Sequence, residues 1–182
     1  LEEALNGKNT EDLEENSSTR ENMRALKYVL GDLKVSHGAW DEAKTMYEAG
    51  CALARPAREK SGNPTVDGAH HLATCELKLA FVALRTSKFD EARSRVEQAR
   101  RWIRQGQDLQ QDDVRLQFNQ SMADNILGKI KLNQCPKTNN EECLEMARGH
   151  FNSAHETMTK VESKLDTSLH PEGIRLRCDS LL

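Results

Sequence analysis

Two stretches of this chain carry matching residues at identical spacing, and such a repeat dictates a fold made by stacking copies of one unit. The first reads Leu30-Gly31, then Trp40-Asp41-Glu42-Ala43, then Tyr47 and Gly50. The second reads Leu79-Ala80, then Phe89-Asp90-Glu91-Ala92, then Val96 and Ala99, at identical spacing. A third stretch, Leu127-Gly128, Leu144-Glu145-Met146-Ala147, Phe151 and Ala154, keeps the order with seven extra residues between its halves. Any helical bundle offers Leu, Ala and Phe at helical spacing. An aromatic-Asp-Glu-Ala placed nine residues after a Gly or Ala, twice, is hard to obtain by accident.

Each position has a task in a helix-turn-helix hairpin. The small residue after Leu (Gly31, Ala80, Gly128) lets the second helix approach the first. Trp40, Phe89 and Leu144 open the second helix with an apolar anchor, and Ala43, Ala92 and Ala147 lie one turn along it. Tyr47, Val96 and Phe151 follow four residues later on the same face, and Gly50, Ala99 and Ala154 leave room for the next hairpin.

Composition agrees. Of 182 residues, 37% are hydrophobic and 4% aromatic, while 30% are charged, which suits thin helical layers and leaves too few alternating Val, Ile, Tyr and Phe for a β-sandwich. The expected class is all-α: antiparallel hairpins stacked as an α-α superhelix, about three hairpins plus a terminal helix. The pattern predicts helices over 19–37, 40–59, 66–87, 89–105, 110–134, 141–165 and 172–182. Ser18 with Glu21 reads as a capping box, and Pro136 with Thr138, Asn139 and Asn140 as a loop. Residues 1–17 read as a polar lead or the end of a preceding element, and 18–182 as the repeat domain, with hairpins at about 19–60, 66–105 and 110–165. The start on Leu1 and the apolar end at Leu181-Leu182 suggest a piece of a longer array.

The pattern resembles the tetratricopeptide repeat, whose signature is Leu-Gly in the first helix and Ala-x-x-x-Phe in the second, over roughly residues 24 to 160. It departs in three ways. The tryptophan-like position before Leu-Gly holds Lys27, Glu76 and Asp124, and the tyrosine-like position after it holds Lys34, Ala83 and Lys131. The closing proline is absent, with Pro56 one place late. Intervals of 49 residues (Ala43 to Ala92) and 55 (Ala92 to Ala147) exceed the standard period of about 34. Asn63-Pro64-Thr65 and His170-Pro171-Glu172 look like the connections of the long repeats in kinesin light chains, and Glu172 to Leu182 would open a fourth repeat.

The resemblance implies a scaffold that binds a peptide or amphipathic helix on its concave face, an adaptor or the regulatory repeat region of a larger protein. Carried over by position, the groove residues are Tyr28, Asp32, Val35, Leu77, Phe81, Leu84, Asn125, Lys129 and Leu132; Leu77, Leu84 and Leu132 read equally well as core. The clamp of Lys, Asn and Arg that grips a chaperone's C-terminal carboxylate in related grooves is replaced by Tyr28, Asp32, Leu77 and Phe81, which disfavours that ligand.

Chemistry finds little support. There is no phosphate loop, nucleophile elbow or H-E-x-x-H, and the ten glycines read as lying at helix ends and connections, so no catalytic residue and no cofactor are expected. His150 and His155, five apart, point to different faces, as do the adjacent His70 and His71, so no metal is expected. Cys51, Cys75, Cys135, Cys143 and Cys178 are odd in number with no C-x-x-C, and read as reduced thiols packed among helices. With no long apolar run and no basic-then-apolar leader, the expectation is an intracellular protein, cytoplasmic or nuclear, with no membrane partner. An alternative basic patch, Arg93, Arg95, Arg100, Arg101 and Arg104 beside Trp102, could contact RNA, but a net charge of −3 disfavours nucleic acid. Self-association through an exposed solenoid end is a third option.

Overall fold

The turns that join the hairpin helices follow from one backbone motif used twice. The computed structural model describes residues 17–54, 65–136 and 141–165. Six helices lie among them: α1 Ser17–Ser36, α2 Trp40–Ala54, α3 Val66–Arg85, α4 Phe89–Leu109, α5 Val114–Gln134 and α6 Glu141–Leu165. No strand occurs among the described residues. After α1, the Gly38 N–H donates to the Val35 carbonyl (2.9 Å) and the Ala39 N–H to Lys34 (2.9 Å), with Gly38 at φ 71°. After α3, the Ser87 N–H donates to Leu84 (3.1 Å) and the Lys88 N–H to Ala83 (2.8 Å), with Ser87 at φ 60°. This is the Schellman arrangement, in which a left-handed residue turns the chain back and satisfies orphan carbonyls. Trp40 and Phe89 then begin α2 and α4 at once.

The chain divides into two compact units, Leu1–Pro56 and Ala57–Leu182. In the first, α1 and α2 pack as an antiparallel hairpin. Gly31 lies under the Tyr47 ring, where a Cβ would overlap Cε1 and Cδ1, and Gly50 lies under Tyr28, where a Cβ would stand 2.5 Å from Cε1. The two rings meet edge to face at 6.3 Å between centroids. The Tyr47 hydroxyl donates to Asp32 Oδ1 (2.5 Å). Gly50 therefore makes room for a ring of its own hairpin, where spacing suggested room for the next.

In the second unit, α3 with α4 and α5 with α6 form two hairpins, and α5 packs against both α3 and α4. Consecutive helices thus pack as in a helical repeat. Leu77, Ala80, Ala83, Ala92, Val96, Ala99, Ala123, Ile126 and Ile130 make one buried cluster across α3, α4 and α5. The Gly31–Tyr47 fit recurs as Gly128 under Phe151, where a Cβ would stand 2.7 Å from the ring. Where the second helix carries the smaller Val96, the facing residue is Ala80.

Helix α5 is enclosed on several sides, which is why its apolar residues follow no single stripe. Its buried polar groups tie it to each neighbour. Asn119 Nδ2 donates to the His70 carbonyl (3.2 Å) and Thr74 Oγ1 (3.1 Å) on α3. Asp124 accepts from Arg100 on α4 and from Ser153 Oγ on α6 (2.9 Å), and Ser121 Oγ donates to the Ala154 carbonyl (2.8 Å). Asp113 caps the helix, accepting from the Arg115 and Leu116 N–H groups at 2.9 and 3.1 Å.

Several expectations are corrected. Helix α5 starts at Val114, four residues after the expected 110, because the Asp113 cap sets it. Ser18 lies inside α1, and Glu21 pairs with Arg24 (3.4 Å). Gly31, Gly50, Gly106, Gly128 and Gly149 are within helices rather than at connections. Leu144 is 49% exposed and anchors nothing. Its place at the hairpin entry is taken by Cys143, buried and joined by a disulfide to Cys135. The reduced-thiol reading fails there, and Cys51 and Cys75, though buried, are not free thiols either. The seven extra residues of the third hairpin fall one at the end of α5, three in the connection and three at the start of α6. The expected helix 172–182, the lead 1–17 and the Asn63-Pro64 and His170-Pro171 connections lie outside the described residues, apart from Ser17. Among the described residues no helix is long and apolar enough to cross a membrane.

Candidate functional site

Where α4, α5 and α6 meet, a cleft of about 460 Å³ opens to solvent, lined by Arg93, Leu127, Ile130, Lys131, Met146, Gly149 and His150. Its floor is apolar: Ile130 belongs to the buried cluster and Leu127 packs against it. Met146, at the rim, is 43% exposed.

Among the described residues, the walls carry three cationic or protonatable side chains and no carboxylate. Arg93 Nη2 donates to the neutral Gln134 Oε1 (2.6 Å), which fixes the guanidinium at the end of α5 without cancelling its charge. Asp90 and Glu97, one turn to either side of Arg93 on α4, do not line the cleft. Gly149 differs from four other glycines inside helices. Gly31, Gly50, Gly106 and Gly128 each face a side chain that a Cβ would strike, whereas a Cβ on Gly149 would meet nothing within 4 Å. A glycine inside a helix costs roughly 0.5–1 kcal/mol relative to alanine, and here no packing demand explains it. Its effect is to keep one wall of the cleft low.

The repeat register explains how the cleft arises. Lys34 and Lys131 are equivalent, each three residues after the small residue, and Glu42 is equivalent to Met146, each just before the alanine. In the first hairpin Lys34 Nζ pairs with Glu42 (2.5 Å). In the third the glutamate has become Met146, and Lys131 is left beside a thioether. His150 occupies the position of Arg95, which in the second hairpin pairs with Glu76 (3.1 Å) and approaches Glu91 (3.9 Å). Only Arg93 among these lining residues stood in a sequence-predicted site. The signal that could have found the rest was the loss of Glu at the Met146 position, readable once the hairpins are aligned.

The predicted groove residues differ in their exposure within each unit. Tyr28 (3% exposed), Leu77 (0%) and Leu84 (7%) are core, and Phe81 is partly buried against the same cluster. A ligand cannot touch Tyr28 or Leu77 as they stand. Asp32 is engaged by Tyr47. Val35 is half-buried, while Asn125, Lys129 and Leu132 are exposed on α5. Their side chains follow the first helix of each hairpin, whose inward face the packing consumes.

The arginine patch is also divided. Arg95 is occupied by Glu76 and Glu91 and Arg100 by the buried Asp124, leaving Arg93, Arg101 and Arg104 exposed. Trp102 is half-buried. Among the described residues no group of three His, Cys, Asp or Glu could hold a metal ion.

One further charged cluster is structural. Arg115 bridges Asp113 (2.8 Å) and Asp67 (2.8 Å), joining the starts of α5 and α3. Burial alone would raise the Asp113 pKa, but hydrogen bonds from the Arg115 side chain and the Leu116 N–H, with the charges of Arg115 and His70, outweigh it and hold the carboxyl below its usual value. The same contact with Asp113 raises the Arg115 pKa against its own desolvation.

No protein-family model matches the chain, and no curated protein or solved structure matches it.

Proposed function

We propose that this chain is a tetratricopeptide-like interaction scaffold that holds a segment of a partner protein and carries out no chemistry itself. The observation that carries the reading is the α4–α5–α6 cleft: an apolar floor, a polar rim and one wall lowered by Gly149, a form suited to an inserted side-chain row of a peptide or helix. The hairpin pattern supports the family resemblance, since Gly31, Ala80 and Gly128 each receive, or share a core with, the residue the repeat assigns them. The docking place moves from the first-helix groove to this cleft, because Tyr28 and Leu77 are buried. The Cys135–Cys143 disulfide weighs against a reducing cytoplasm and favours an oxidising compartment.

The test is a plug. Gly149→Trp places a ring in space that is open in the fold, and it replaces a poor helix former, so folding and thermal stability should be kept. Affinity purification from the source organism, each hit then checked with purified components, should show a partner that binds the parent protein and is lost with the plugged variant. An unchanged partner set would reject the cleft. Binding abolished by ribonuclease treatment would favour the RNA reading instead.

A further inference from the structure

Positive charge in this cleft stands out against the rest of the molecule. The chain has 26 Lys and Arg against 29 Asp and Glu, and two of the arginines on α4 have carboxylate partners, Arg95 with Glu76 and Arg100 with Asp124, while Arg101 and Arg104 are exposed and do not line the cleft. Even exposed Arg148, beside the cleft on α6, pairs with Glu145 (3.1 Å). Arg93, Lys131 and His150 instead line one apolar-floored cavity in which no carboxylate of the described residues takes part. Two of the three occupy positions whose equivalents in another hairpin are ion-paired, Lys131 with respect to Lys34–Glu42 and His150 with respect to Arg95–Glu76. The third hairpin has therefore lost the glutamate of the Glu42 and Glu91 position to Met146, while Asp124, at the Glu76 position, is buried and taken by Arg100 and Ser153.

We infer that the cleft recognises an acidic amphipathic segment of a partner protein, in which apolar side chains enter over Leu127 and Met146 while flanking Asp or Glu carboxylates meet Arg93, Lys131 and His150. This rests on the interaction-scaffold reading above and adds the chemistry of the ligand. The partner's carboxylates supply to Lys131 what Glu42 supplies to Lys34 in the first hairpin. Guanidinium, ammonium and imidazole groups can each donate to a carboxylate. The Gln134 contact holds the guanidinium in place, so less side-chain freedom is lost on binding. A phosphodiester backbone would also satisfy the charges, but it would leave Leu127, Ile130 and Met146 uncovered, and no aromatic side chain lines the cleft for a base to stack on.

The inference is tested by titration calorimetry of the purified chain against three probes: a synthetic helical peptide with leucines one turn apart flanked by glutamates, its counterpart with lysines for the glutamates, and a single-stranded RNA oligonucleotide. The glutamate peptide should bind, weaken as salt rises, and lose about tenfold or more in affinity on Lys131→Glu or Arg93→Glu, with circular dichroism unchanged. The lysine peptide should bind the charge-reversed variants better than the parent, a swap that a merely structural loss cannot produce. Equal binding of both peptides by the parent, or binding of neither, overturns the inference, and binding of RNA alone overturns it in favour of nucleic acid. The scaffold reading fails separately, through the Gly149→Trp comparison: a partner lost on plugging, combined with no preference for the glutamate peptide, leaves the scaffold and removes only the acidic ligand.

Discussion

Gly128 and Phe151 show how single residues define a hairpin. An added Cβ at Gly128 would stand 2.7–2.9 Å from three atoms of the ring, so Gly128→Ala forces overpacking and should cost about 1–3 kcal/mol by urea denaturation. In a Phe151→Val background, which copies the Ala80–Val96 pairing, most of that cost should vanish. Equal costs in both backgrounds would show that the two residues do not share one fit. This pairing was readable in the sequence, because Gly or Ala at one position and an aromatic or Val at another recur in the same order, at identical spacing in the first two hairpins and with seven extra residues in the third. Leu144 was misread at the same scale. Its register marked it as an anchor, but the longer third connection lets Cys143, joined to Cys135, secure the entry instead. Cysteine spacing alone holds no information on which thiols approach one another in a helical stack.

Among the elements, α5 carries the most constraint. It is packed on several sides, yet its predicted groove positions Asn125, Lys129 and Leu132 stay exposed, whereas those on α3 include Leu77 and Leu84, which face other helices. Leu77 and Leu84 on α3 were left undecided between groove and core by the sequence, and neighbouring helices decide them as core. The start of α5 depends on Asp113. Its carboxyl is more acidic in the folded chain than in an unfolded one, so its contribution to stability is complete above the ordinary carboxylate range. That contribution is lost as pH falls through the lowered value. Asp113→Ala should therefore cost about 1–3 kcal/mol at neutral pH, from the cap and from the loss of the carboxylate facing Arg115. The gap between parent and variant should narrow as pH is lowered below about 4. Urea unfolding at a series of pH values measures this, and a gap independent of pH would contradict the assigned electrostatics.

At the scale of the whole molecule, the class of fold was readable because helical periodicity and a repeated spacing are properties of the chain itself. The candidate site was not, because it arises where one repeat departs from its siblings. Lys131 was visible as a departure at a tyrosine-like position, and its meaning appears only when Met146, Gly149 and Arg93 are seen around it. If the stack binds a partner as proposed, its specificity is expected in such differences between hairpins, since the shared positions are spent on packing. Which face binds is therefore the central claim. Backbone amide chemical-shift mapping of the parent chain with the glutamate-flanked helical peptide tests it most directly. The account predicts shifts concentrated at Arg93, at Leu127 to Lys131 and at Met146 to His150. Shifts gathered instead around Phe81 and Asn125 on the first-helix face, with the cleft unmoved, would contradict it.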